Sequence, residues 1–139
     1  MATKQDIFEY VNKNPMSSVA TVDGNVPRVR IMMLFRADEN GVIFFTTTLK
    51  DIYKQLQANP AVEMCFCNPQ EFSQVRIEGE AEILDDLELK KEIVERLEFL
   101  KPLVESKGYE VIICYKLKNA KGLYWTMESN FEPKEYIQL

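Results

Sequence analysis

Hydrophobic and polar positions alternate with a period of two along most of this chain, and three stretches break the pattern with helical spacing. The first stretch, residues 3 to 14, places Ile7, Tyr10 and Val11 on one face. Thr3 stands three positions before Asp6, a helix-start pattern, and Asn14-Pro15 ends the element. The second runs from Lys50 to Ala58 and stops at Asn59-Pro60. The third, residues 85 to 100, takes Asp85 as its cap and carries an apolar stripe of Leu89, Ile93, Leu97 and Leu100.

Between these helices the pattern predicts strands. Ser18-Val-Ala-Thr-Val22 leads into Asp23-Gly24-Asn25, a tight-turn signal. A long strand from 26 to about 36 follows, with Arg28, Arg30, Met32 and Leu34 on one face and Val29, Ile31, Met33 and Phe35 on the other. Glu39-Asn40-Gly41 turns the chain into residues 42 to 47, apolar on both faces and so expected to be buried on both. Residues 61 to 67 form a further strand. Residues 72 to 84 alternate cleanly, with Val75, Ile77, Ala81 and Ile83 inward and Gln74, Arg76, Glu78, Glu80 and Glu82 outward. A closing pair is expected at 109 to 117 and 122 to 127. This order predicts a mainly β, α+β fold: an antiparallel split β-barrel with flanking helices.

Composition narrows the possibilities. A chain of 139 residues with 46% hydrophobic content suits one domain over residues 1–139. A net charge of -5 argues against a broad electrostatic grip on nucleic acid or an anionic membrane. No apolar run approaches the roughly 20 residues of a membrane span, and the first residues lack a signal-peptide pattern. Three cysteines are too few and too odd for a disulfide scaffold. Cys65 and Cys67 share a strand face and read as buried, reduced thiols, consistent with a cytoplasmic protein. With no histidine in the chain, His-ligated metal, axial-His haem and imidazole acid–base chemistry are all disfavoured.

The chemistry concentrates in Phe44-Phe-Thr-Thr-Thr-Leu-Lys-Asp51, where a strand ends in three hydroxyl residues and a helix begins. Thr48 fits the capping position with Asp51 three residues on. A helix start offers free N–H groups and partial positive charge, Thr46 and Thr47 add hydroxyls, and Lys50 and Lys54 add charge. Arg28 and Arg30 point the same way on the preceding strand, and pairing across the 39–41 hairpin could bring a guanidinium fork to the same place. Such a set suits a phosphate monoester. The same residues also have a plainer reading, since Thr favours strands and Lys favours helix surfaces.

Four elements, in order, resemble the pyridoxamine 5'-phosphate oxidase-like, FMN-binding split-barrel family. They are Val26-Pro-Arg-Val-Arg-Ile-Met-Met33, Gly41-Val-Ile-Phe-Phe-Thr-Thr47, Lys50-x-x-x-Lys-Gln-Leu-x-x-Asn-Pro60 and Gln74-Val-x-Ile-x-Gly-x-Ala-x-Ile83, spread over residues 27 to 84. The resemblance implies FMN as cofactor, with Arg30 and Lys50 at its phosphate and the backbone of Ile31 and Met32 along the ring. It places Phe45, Thr46 and Thr47 along the ribityl–phosphate channel. It also implies a homodimer with flavin at the subunit interface, reached by Gln74 of the partner. Arg28, Lys54, Arg76 and Trp125 are further candidates around the cofactor, each with an ordinary surface, ion-pair or core role as the alternative.

The departures bear on the reaction. Where the family's oxidases carry a Lys to the substrate phosphate, this chain has Phe35; their basic pair near the short helix falls on Asp51-Ile52, and their C-terminal Arg-x-His signature is missing. Vitamin B6 oxidation and His-dependent haem degradation are therefore not expected. The leading expectation is an FMN-dependent oxidoreductase taking electrons from NAD(P)H to a small acceptor, with the redox chemistry carried by the flavin. The alternatives are a non-catalytic flavin carrier or sensor, and a module that binds another phosphorylated ligand.

Overall fold

A computed structural model describes residues 2–139. Helix α1 (Lys4–Lys13) starts as its sequence dictates: the Thr3 side chain accepts from the Asp6 N–H, and the Asp6 carboxylate accepts from the Thr3 N–H. Strands β1 (Met16–Asp23) and β2 (Val26–Met33) form a hairpin whose turn needs Gly24, held at φ 63°. Then come β3 (Arg36–Asp38), β4 (Gly41–Thr47), α2 (Asp51–Ala58), β5 (Ala61–Asn68) and β6 (Ser73–Leu84). Helices α3 (Leu87–Arg96) and α4 (Lys101–Lys107) precede the long β7 (Ile112–Thr126) and the short β8 (Ile137–Gln138).

The strands form one antiparallel sheet in the order β2-β1-β5-β6-β7-β4-β3, with β8 on β7. Its two ends, β2 and β3, are consecutive in the chain. At the crossing the Leu34 N–H bonds to the Pro15 carbonyl at 2.8 Å and the Phe35 N–H to the Ile43 carbonyl at 3.0 Å, so the strand leaves β1 and joins β4 within two residues. The sheet thus curls round without a ladder between its ends, and α2 lies against β1 and β4 there. This is the open, split form of a barrel that the alternation predicts.

Two apolar clusters hold the fold. Inside the barrel, Val19, Phe44, Met64, Phe66, Val75, Ile77 and Tyr115 pack with Ile7 and Val11 of α1 and Ile52 and Leu56 of α2. On the other side of β4 and β7, Ile43, Ile112 and Cys114 pack against Leu89, Ile93 and Val94 of α3. β4 feeds both clusters, which explains why it is apolar on both faces.

Several local expectations are corrected. The strand from 26 to 36 is two strands, because the change of partner at residues 34 and 35 interrupts it. The closing pair is one continuous strand: Asn119 takes φ 55° and the register shifts opposite Gly79, so the chain bulges instead of turning back. Gly79 is needed at that bulge, since a Cβ there would stand 3.0 Å from the Lys118 carbonyl oxygen. Ile83, expected inward, is half exposed. The cap of α3 is Asp86, which accepts from the Leu89 N–H, and not Asp85. Helix α3 also ends earlier, at Arg96, and Pro102 helps to start the separate α4. Of the thiols, Cys114 is buried and Cys65 half-buried, but Cys67 is exposed.

Candidate functional site

The strand β2 and the first turns of α2 enclose an open cleft of about 1100 Å³, lined by Arg28, Arg30 and Ile31 on one side and Lys50, Asp51, Lys54 and Gln55 on the other. Alternation along β2 sends its even and odd residues to opposite faces. Arg30, opposite Val19 in register, points to the inner face towards α2. Val29 and Ile31 point outward and are 71% and 62% exposed, so the cleft has a cationic side and an apolar rim.

Arg30 is held in place by its neighbours. Its Nη1 donates to Thr21 Oγ1 at 2.8 Å and to the Val19 carbonyl at 3.3 Å, while Nη2 donates to Gln55 Oε1. The Thr21 hydroxyl also donates to Gln55 Oε1, at 2.6 Å. Of the five guanidinium N–H groups, Nε–H and one on Nη2 remain without a partner among the described residues. Burial lowers the Arg30 pKa from its usual value, and the Asp51 carboxylate pulls it back up. It stays charged.

Lys50 occupies the cap position of α2, with extended backbone and no side-chain cap bond. This corrects the expectation that Thr48 caps the helix. The Thr48 N–H is instead committed to the Val111 carbonyl, and the Thr47 hydroxyl accepts from the Leu49 N–H, so the chain makes a further turn before the helix starts. The first N–H groups of α2 are consequently uncapped beside two lysines that have no carboxylate partner among the described residues. Arg28 is paired with Asp23 at 3.2 Å. Asp51 adds one carboxylate to the cleft lining beside Lys50.

The cleft therefore gathers Arg30, Ile31 and Lys50, with Arg28 and Lys54. The expected route was wrong: β2 pairs with β1, not β4, and α2 rather than the 39–41 hairpin brings the charges together. Thr46 and Thr47 are buried at the end of β4, Phe45 packs against the α3 cluster, and Met32 packs against the barrel core. None of these four lines the cleft.

Gln74, Arg76 and Trp125 sit elsewhere, on β6 and β7, with Gln74 opposite both Cys67 and Trp125 in register. The Trp125 indole donates to Asn130 Oδ1 at 3.2 Å. The Glu78, Glu80 and Glu82 row faces Lys121, Lys118 and Lys116 across the β6–β7 ladder, an arrangement that offsets its charge. Sequence reasoning missed Thr21 and Gln55, which hold Arg30. No pattern in the sequence ties either residue to Arg30; the packing of α2 on β1 brings them there. Among the described residues no helix is long and apolar enough to cross a membrane, and no His/Cys/Asp/Glu cluster could hold a metal.

Comparison with known proteins gives this architecture relatives. The family model described as pyridoxamine 5'-phosphate oxidase matches residues 3–112. A pyridoxine/pyridoxamine 5'-phosphate oxidase of Actinobacillus succinogenes is 35% identical over 85 residues, covering 60% of this chain and 40% of the relative. The chain thus matches less than half the length of that curated relative. Among solved structures, a NimC/NimA family protein from Clostridium acetobutylicum superposes with a TM-score of 0.79 at 22% identity, covering 97% of this chain and 92% of the other. The General Stress Protein 26 of Bacillus anthracis gives 0.72 at 19%, covering all of both chains. These two likenesses show the fold, and the profile match over residues 3–112 extends it to descent: this chain belongs to the pyridoxamine 5'-phosphate oxidase family.

Proposed function

We propose that this protein is an FMN-binding flavoprotein, a homodimer that passes electrons from a reduced nicotinamide to a small acceptor. The observation that carries this reading is the cleft between β2 and α2. It combines a positioned guanidinium, two unpaired lysines and an uncapped helix start with an exposed apolar strand. Its donor set fits FMN: a phosphate dianion needs several N–H donors and net positive charge, and a large flat ring needs apolar surface beside them. Family membership supports the same cofactor.

In this reading Arg30 and Lys50 hold the phosphate, with Lys54 adding charge and Arg28 modulating it through Asp23. Ile31 and the β2 backbone support the ring. Thr46 and Thr47 act from behind, by fixing the strand end from which α2 departs. The exposed Val29, Ile31 and Met33 row is the surface a second copy would cover. Bound FMN would supply the redox chemistry, which accounts for a site with no histidine and no pair of carboxylates poised as acid and base. Phe35 and the missing Arg-x-His signature argue against pyridoxamine phosphate as substrate.

The test is the visible spectrum of the purified protein, followed by anaerobic titration with NADH and NADPH. A flavin spectrum that bleaches supports the full reading. A flavin spectrum that does not bleach leaves a carrier or sensor, and a colourless protein that does not quench FMN fluorescence overturns flavin binding altogether.

A further inference from the structure

The cleft between β2 and α2 is longer than a single phosphate needs. Its volume of about 1100 Å³ exceeds the roughly 300–1,000 Å³ that holds a whole drug-sized ligand. Beyond Arg30 and Lys50 the lining continues to Gly24 in the β1–β2 turn, and to Ala58 and Asn59 at the end of α2. Strand and helix therefore run along the cleft together, from Arg30 to Arg28 on one wall and from Lys50 to Lys54 on the other. Two residues of strand and four of helix advance by nearly the same length, about 6–7 Å. The charges repeat at that step.

Net charge repeats with them. The near level has Arg30 and Lys50 with Asp51, whose carboxylate acts on the guanidinium. The far level has Arg28 and Lys54 with Asp23, whose Oδ2 accepts from Arg28 Nε at 3.2 Å. Each level thus sets two cations against one carboxylate and keeps a single positive charge. The far level also has donors to spare. The half-exposed Arg28–Asp23 pair uses only Nε, which leaves both terminal NH2 groups of the fork. Asn59 Oδ1 accepts from the Ala61 N–H at 3.1 Å, so its NH2 is the group on offer.

We infer that the cleft holds two linked phosphates, one at each level, and so takes a flavin dinucleotide, FAD, as well as FMN. This rests on the flavin reading and names the cofactor class that the site admits. A phosphate monoester carries close to two negative charges on one phosphorus at neutral pH, and the near level alone offsets only one of them. The diphosphate of FAD is esterified at both ends and carries one negative charge on each phosphorus. That distribution matches one positive charge at each level. The adenosine then lies towards the turn, where a Cβ on Gly24 would meet nothing within 4 Å.

The experiment measures by calorimetry, at low salt, the dissociation constants of FMN and FAD for the wild type, Ala58→Glu, Ala58→Lys and Lys54→Ala. Each protein is first checked for an unchanged melting temperature without flavin. The wild type is expected to bind FAD at least as tightly as FMN. One added charge at the exposed Ala58 shifts affinity by about two- to fivefold. Ala58→Glu is therefore expected to weaken FAD and Ala58→Lys to tighten it, with a smaller change for FMN; the opposite signs separate charge from bulk. Lys54→Ala is expected to weaken both flavins, FAD more than FMN. Should one Ala58 variant fail to fold, the other and Lys54→Ala decide the matter. FAD bound more weakly than FMN by the wild type, or Ala58 variants that shift both flavins equally, overturn the second phosphate level. So does weaker NADH binding to FMN-loaded Ala58→Glu with FAD affinity unchanged, which would give that level to the electron donor. A wild type that binds neither flavin overturns the functional reading first, and this inference with it.

Discussion

Arg30 illustrates how a charged side chain is made precise by neutral neighbours. Thr21 and Gln55 hold its fork from behind and carry no charge to neutralise it. Charge-assisted hydrogen bonds contribute about 1.5–3 kcal/mol each, so Arg30→Ala is expected to weaken FMN binding about ten- to hundredfold, read by fluorescence quenching. Asp51 works in the opposite sense, as a carboxylate in the lining of the proposed phosphate site. Asp51→Asn should bind FMN more tightly than the wild type at low salt, with the difference shrinking as salt is added. That Arg30 and Lys50 lie in one cleft was legible in the sequence, from two cationic residue types placed on a strand and at the next helix start. Thr21 and Gln55 were not, because a threonine in a strand and a glutamine in a helix are unremarkable until the packing of α2 on β1 brings them to the guanidinium.

At the scale of elements, local signals succeeded wherever one interaction sets a boundary and failed wherever a distant strand does. Thr3 with Asp6, Gly24 in its turn and Asn59-Pro60 all acted as read. The run Lys118-Asn-Ala-Lys-Gly122 looks like a turn, yet pairing with β6 on both sides of the bulge carries β7 straight through it. The cap of α2 is Lys50 and not Thr48, whose N–H is taken by the carbonyl of Val111, far along the chain. The seating of α1 offers a test at this scale. A Cβ on Gly122 would stand 2.7 Å from Ile7 Cδ1 and 3.3 Å from Leu139 Cδ1, so β7 is bare there to let helix and C-terminus converge. Gly122→Ala should destabilise the fold by about 1–3 kcal/mol through overpacking, seen as a lower melting temperature. Trimming the side chain that it meets, with Ile7→Val in the same chain, should recover part of the loss.

For the whole molecule, the sequence conveyed an open antiparallel barrel but not which face of β2 is left bare. Val29, Ile31 and Met33 alternate as a core-facing row would, and only the fold shows them on the outside. In the proposed dimer that row is covered, so Ile31→Glu should shift the protein to a monomer in light scattering and lose FMN with it. The core gives an independent prediction about pH. Burial pushes the Cys114 thiol up to about 11 from 9.0 and the Tyr115 hydroxyl up to about 12 from 10.0. Both groups bind their proton more tightly when folded, so their contributions are complete below the unfolded values and are lost as pH rises. Each is on the order of 2 kcal/mol, and unfolding free energy should fall between about pH 9 and 12. Cys114→Ala should remove the earlier part of that fall, between about pH 9 and 11, in urea unfolding at a series of pH values.

In the proposed function, the cleft between β2 and α2 holds FMN by its phosphate through Arg30 and Lys50. Its most direct test is the flavin absorbance retained after the protein is saturated with FMN and passed through a desalting column, for the wild type and for the double variant Arg30→Ala, Lys50→Ala. The wild type is expected to keep its flavin and the folded double variant to lose it. A wild type that emerges colourless, or a double variant that retains as much flavin as the wild type, would contradict it.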